Sequence, residues 1–113
     1  MKHLKLFEAY FDGDEESTWE EIDAQDFVEF RSGRRSHKII DTDLLKIGEI
    51  FDVTEINLDN DTPPFSASFY TMGYDVTLYK YDDDWWLVWS RDADNLEHYY
   101  LCDSFEGLKE LVS

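Results

Sequence analysis

Apolar residues recur every three or four positions up to about residue 52 and alternate beyond it, and this change of period divides the chain into a helical part and a sheet part. Val53 to Leu58 reads as a strand, ended by Asp59, Asn60, Asp61 and the Pro63-Pro64 pair, which lacks the N–H groups a ladder needs. Phe65 to Met72, Tyr74 to Tyr81, Trp85 to Arg91 and Leu96 to Cys102 read as four more. Their separators, Gly73, Asp82-Asp83-Asp84 and Asp92-Ala93-Asp94-Asn95, are short enough for antiparallel hairpins.

The helical part starts with a short amphipathic helix over 2–11, carrying Leu4, Leu6, Phe7, Tyr10 and Phe11 at helical spacing, with Gly13 as a stop. Two capping signatures then compete, Ser17 with Glu20 and Asp23 with Asp26. Either Trp19 to Ile22 is a brief extended piece before a helix of about 24–32, or one helix runs through both. Gly33 ends it in either case. Asp41 or Thr42 can cap a helix of about 42–51 carrying Leu44, Ile47 and Phe51, and Asp103-Ser104-Phe105-Glu106 opens a last helix through Leu108, Leu111 and Val112. The expectation is a single α+β domain over 1–113, with short N-terminal helices, an antiparallel β-meander of four to five strands and a C-terminal helix.

Both faces of that meander carry aromatics. Trp85, Leu87 and Trp89 point one way and Trp86 and Val88 the other, while Tyr79 and Tyr81 oppose Val76 and Leu78. Helices can cover one face. The second is covered by the N-terminal segment or left as an aromatic patch rimmed by Asp, the composition of a partner-binding surface.

Charge is the strongest lead to function. The 113 residues hold 27 Asp and Glu against 10 Lys and Arg, a net charge of −17, yet 42% are hydrophobic, which separates the chain from disordered acidic tracts. A folded protein of this size exposes roughly 6,500 Å², or about one net charge per 380 Å². Duplex DNA carries about one per 100 Å². Only a concentration of carboxylates on one face would imitate it, and otherwise the acidity serves solubility. The sign also varies: residues 1–30 hold ten acids and two bases, 31–38 four bases and no acid, and 39–113 seventeen acids and four bases. The island Arg31, Arg34, Arg35, His37 and Lys38 reads as a set of partners for the preceding helix end and nearby carboxylates rather than a phosphate grip. Scarce cations argue against direct nucleic-acid or anionic-membrane binding. Apolar runs too short to span a bilayer, and one cysteine, fit a soluble protein of a reducing cytoplasm.

Chemical motifs are absent from the sequence. The five glycines stand apart, and His3, His37 and His98 fall in three separate elements. Cys102 and His98 share a strand face roughly 13 Å apart, too far for a nucleophile and its base. Asp12-Gly13-Asp14-Glu15-Glu16 resembles the start of an EF-hand loop, but Ser17 stands at the sixth-position glycine and Asp23 at the bidentate glutamate. No enzyme, cofactor or metal is expected.

Met1-Lys2-His3-Leu4-Lys5-Leu6-Phe7-Glu8, the hairpin Tyr79-Lys80-Tyr81-Asp82-Asp83-Asp84-Trp85-Trp86 and the closing Tyr99-Tyr100-Leu101-Cys102-Asp103 with Phe105-Glu106-Gly107-Leu108 resemble segments of small acidic proteins of tailed bacteriophages. That resemblance covers about a third of the chain and implies no activity. With the charge, it gives the expectation of a non-enzymatic accessory protein that binds and inhibits a basic, nucleic-acid-handling host protein or nuclease complex in the host cytoplasm, by DNA mimicry. The expected contacts are Asp82, Asp83, Asp84, Asp92 and Asp94 in turns, Asp12, Asp14, Glu15 and Glu16, and Trp85 and Trp86 as anchors. The alternatives are a virion protein, whose N-terminus resembles targeting peptides cut at a Leu-x-Glu site such as Leu6-Phe7-Glu8, and a generic small interaction domain. Oligomeric state is not legible.

Overall fold

Alternation past residue 53 produces an antiparallel sheet, and the helical period before it produces the layers that cover it. The computed structural model describes residues 19–82 and 85–112; the expected helix over 2–11, the Leu6-Phe7-Glu8 site and the acids Asp12, Asp14, Glu15, Glu16, Asp83 and Asp84 lie outside the described residues. The elements run β1 (Trp19–Ile22), α1 (Ala24–Arg31), α2 (Asp41–Phe51), β2 (Asn57–Leu58), β3 (Ser66–Thr71), β4 (Tyr74–Tyr81), β5 (Trp85–Arg91), β6 (Glu97–Cys102) and α3 (Phe105–Leu111). The fold is α+β, with one antiparallel sheet in the order β1-β6-β5-β4-β3-β2.

Of the two readings of residues 17–32, the extended piece is the one formed. Trp19 to Ile22 pairs with Cys102 to Tyr99, adding to the meander a sixth strand that local periodicity does not reveal. Asp23 then caps α1, its carboxylate accepting the Asp26 N–H at 2.8 Å. Glu20 lies in β1, and Ser17, the other half of that expected capping box, lies outside the described residues. Neither Asp41 nor Thr42 caps α2. The N-cap is Ile40, whose N–H donates to the Asp43 carboxylate at 3.1 Å. The strand expected from Val53 shrinks to Asn57–Leu58, because the chain leaves α2 through left-handed Asp52 (φ 58°) and the Val53 N–H turns back onto the Gly48 carbonyl. Val53 and Ile56 instead fill gaps beside the core. At the C-terminus, Ser104 caps α3 by accepting the Gly107 N–H.

Two unequal cores follow from the two aromatic faces. On the first, α2 and α3 bring Ile47, Phe51, Leu108 and Leu111 onto Phe69, Val76, Leu78, Trp86, Val88 and Tyr100. On the second, the eight-residue α1 supplies Phe27 and Phe30. Phe27 sits between Tyr79, met edge-to-face, and Tyr99, met at a tilt, at centroid distances of 5.7 and 4.9 Å, and Phe30 meets Tyr81 and Trp85. Two turns of helix leave Trp85, Trp89, Tyr79 and Tyr99 half-buried. An open groove remains between α1 and these rings, lined by Ala24, Phe27 and Val28 on one side and Thr77 and Trp89 on the other.

Candidate functional site

Consecutive turns of a meander lie at opposite ends of its strands, so the acidic turns cannot converge. β5 alone separates the Asp82 turn from the Asp92 loop by about 20 Å at ~3.3 Å per residue. This sorts the charges into two poles.

At the first pole the basic island meets Asp82. The Asp82 N–H donates to the Arg35 carbonyl at 3.2 Å, and the Arg34 guanidinium lies 3.5 Å from its carboxylate. Ser36 pairs with Tyr81, and the His37 N–H donates to the Lys80 carbonyl. Arg31 spreads over the Phe27 and Tyr79 rings and Arg34 over Phe30, at 5.4, 5.5 and 4.0 Å. These cations hold α1 and its trailing loop to the sheet.

The second pole is built by the start of α1, the end of α2, the Met72-Gly73 turn and the 92–96 loop. The Thr71 hydroxyl donates to the Phe51 carbonyl at 3.3 Å, fixing the end of α2 there. Asp23, Asp52, Glu55, Asp75, Asp92, Asp94 and Glu97 gather at this end, with Arg91 as the one guanidinium among the described residues there. Arg91 pairs with Asp75 at 3.2 Å. Seven carboxylates less one guanidinium leave these groups a net charge of −6, about a third of the chain's −17, at one end of the sheet.

The expected contact residues divide accordingly. Asp82 belongs to the mixed pole. Asp94 is exposed at the acidic one. Asp92 is spent on its own loop: it accepts the N–H groups of Asp94 and Leu96 at 2.9 and 3.0 Å and lies 3.3 Å from His98 Nε2. The Leu96 N–H leads these contacts in holding its carboxyl below the ordinary value. Trp85 is half-buried against Phe30. Trp86 is 1% exposed, packed 5.1 Å from Phe105, and offers no surface to a partner, because its parity in β5 turns it into the core while Trp85 faces α1.

Residues that sequence spacing did not single out complete the acidic pole. Glu97 accepts the Tyr99 hydroxyl at 2.6 Å and, with a second bond from Trp89, is held below the ordinary carboxyl value. Tyr70, Met72 and Leu96 are 66%, 39% and 58% exposed there. Their signal was the hairpin register, which puts 72 and 96 at one end.

Among the described residues no group of three His, Cys, Asp or Glu side chains is placed to hold a metal. His98 lies between Asp92 and Glu21, with Nδ1 3.9 Å from the latter, and Ser90 pairs with it across the ladder. Ser90 Oγ and the Tyr100 hydroxyl are fully buried without a hydrogen-bond partner. Burial pushes the Cys102 thiol far up, away from the thiolate. No protein-family model, curated protein or solved structure matches the chain.

Proposed function

We propose that this chain is a non-enzymatic binding protein that engages and blocks a basic, nucleic-acid-handling protein through its acidic pole. What supports the reading is the sorting of charge by strand direction, which gathers carboxylates at one end while the basic island lies at the other. Such a face steers a cationic partner into contact and occupies a surface that otherwise takes phosphates. The resemblance of the terminal segments to phage proteins makes the partner a host protein, met in the host cytoplasm.

The test is affinity capture from bacterial lysate at low and high salt, with two sets of variants. Asp52→Asn, Glu55→Gln and Asp94→Asn together should release a salt-sensitive basic partner. Asp82→Asn with Asp83→Asn and Asp84→Asn should leave it bound. The reverse result moves the contact to the opposite pole, and salt-independent binding overturns the electrostatic mechanism.

A further inference from the structure

The acidic pole is not uniformly polar. Of the seven large apolar side chains exposed among the described residues, Tyr70, Met72 and Leu96 lie at this one end. The other four are spread over α1, the α2 region and β2.

Met72 and Leu96 are also fixed in place. Met72 is the first residue of a two-residue hairpin turn closed by the Thr71–Tyr74 pair, with φ 52° at Met72 and 84° at Gly73. A turn with two positive φ values favours Asn or Gly at that position, so methionine is an unfavourable choice locally. Leu96 is held by its N–H on the Asp92 carboxylate and by the Asp92 N–H on its carbonyl at 3.1 Å. The backbone beneath both side chains is therefore set before binding, so that only their rotamers remain to be ordered on contact. They lie two to three strand spacings apart, about 10–14 Å. Residues seven or eight apart on one helix face are separated by about 10.5–12 Å.

From this juxtaposition we infer that the pole docks a cationic amphipathic helix of the partner, whose apolar residues at i and i+7 or i+8 contact Met72 and Leu96 while flanking Lys and Arg meet Asp52, Asp75 and Asp94. The inference rests on the acidic-pole reading and narrows it: the partner element is a helix with an apolar stripe rather than a channel lined by cations alone. Apolar anchors give persistence to an encounter that charge accelerates.

Two synthetic peptides of about 18 residues and equal charge test it, one a Lys/Leu helix with leucines on a single face, the other a Lys/Ser sequence. Titration at low salt should show the Lys/Leu peptide binding at least tenfold tighter. Met72→Asn with Leu96→Ser should abolish that advantage and leave Lys/Ser binding unchanged. Leu45→Ser with Leu58→Ser, exposed elsewhere, should preserve it. Equal binding of the two peptides, or an advantage that survives in the Met72/Leu96 variant, overturns the helix-docking inference while the charge reading stands. If neither peptide binds, or binding ignores Asp52→Asn, Glu55→Gln and Asp94→Asn, the charge reading fails as well. Asn suits the turn at 72, so this variant keeps the fold, which circular dichroism verifies.

Discussion

Asp43 and Lys80 meet at 2.8 Å with side chains 8% and 13% exposed, and the same carboxylate oxygen accepts the Ile40 N–H at the start of α2. Removing one member strands a charge in the interior, so Lys80→Met is expected to cost about 3 kcal/mol. Adding Asp43→Leu to it should cost less than the two single changes summed, measured by urea denaturation as a double-mutant cycle. At Met72 the sign reverses. Met72→Asn relieves a left-handed conformation and should raise stability by about 0.5–1 kcal/mol, read as a higher thermal midpoint. The same substitution is expected to weaken docking of an amphipathic helix, so stability and binding oppose each other at one residue. Cys102 is buried with its thiol pKa raised, and a disulfide reagent should react with it only as fast as the protein opens.

Among the elements, α1 has the least redundancy, since two phenylalanines on eight residues cover most of the second face. Phe27→Ala is expected to cost about 3–4 kcal/mol and to shift tryptophan emission to the red as Trp89 and Trp85 gain water, a pair of changes that denaturation and fluorescence separate. β4 and β5 were legible to the residue, because long alternating runs bounded by Gly or Asp leave little freedom of register. The start of α3 was legible as the segment Asp103-Ser104-Phe105-Glu106, although its spacing favours Asp103 and the cap is Ser104. What stayed open or failed was non-local. Trp19 to Ile22 is a strand only because Cys102 to Tyr99 offers an edge, and Val53 to Ile56 fails to be one because α2 ends in a left-handed turn. The acidic pole lay between these cases: strand lengths in the sequence already oppose the Asp82 turn to the Asp92 loop, but Asp23, Asp52 and Glu55 reach that end only through the packing of α1 and α2.

For the whole molecule, a charge of −17 repels itself. Shortening the Debye length from about 30 Å in 0.01 M salt to about 3 Å in 1 M should raise the thermal midpoint, although the exposed Arg91–Asp75 and Arg34–Asp82 pairs weaken. At alkaline pH the direction is set by Tyr74, Tyr81 and Tyr100, whose hydroxyls burial pushes above the ordinary value. A phenol that titrates higher folded than unfolded keeps its proton in the native state, so its contribution is intact below about pH 10 and is lost as pH rises beyond. Tyrosinate absorbance and loss of structure should therefore rise together. Asp92 and Glu97, with lowered values, act in the opposite sense: the unfolded chain takes up their protons first, and stability falls as pH drops below about 4.

The pairing of β1 with β6 also bears on biosynthesis. Some eighty residues separate the partners, and at about 5–20 residues per second a ribosome needs several seconds to deliver the second after the first. During that interval β1 has no ladder to join and α1 has no second face to cover, since Tyr79, Trp89 and Tyr99 are still to be made. The order of synthesis is thus the reverse of what the architecture needs, and the meander with α3 must form before the amino-terminal elements can close onto it. A stop codon inside β6 would consequently remove α3 and leave β1 without its ladder partner.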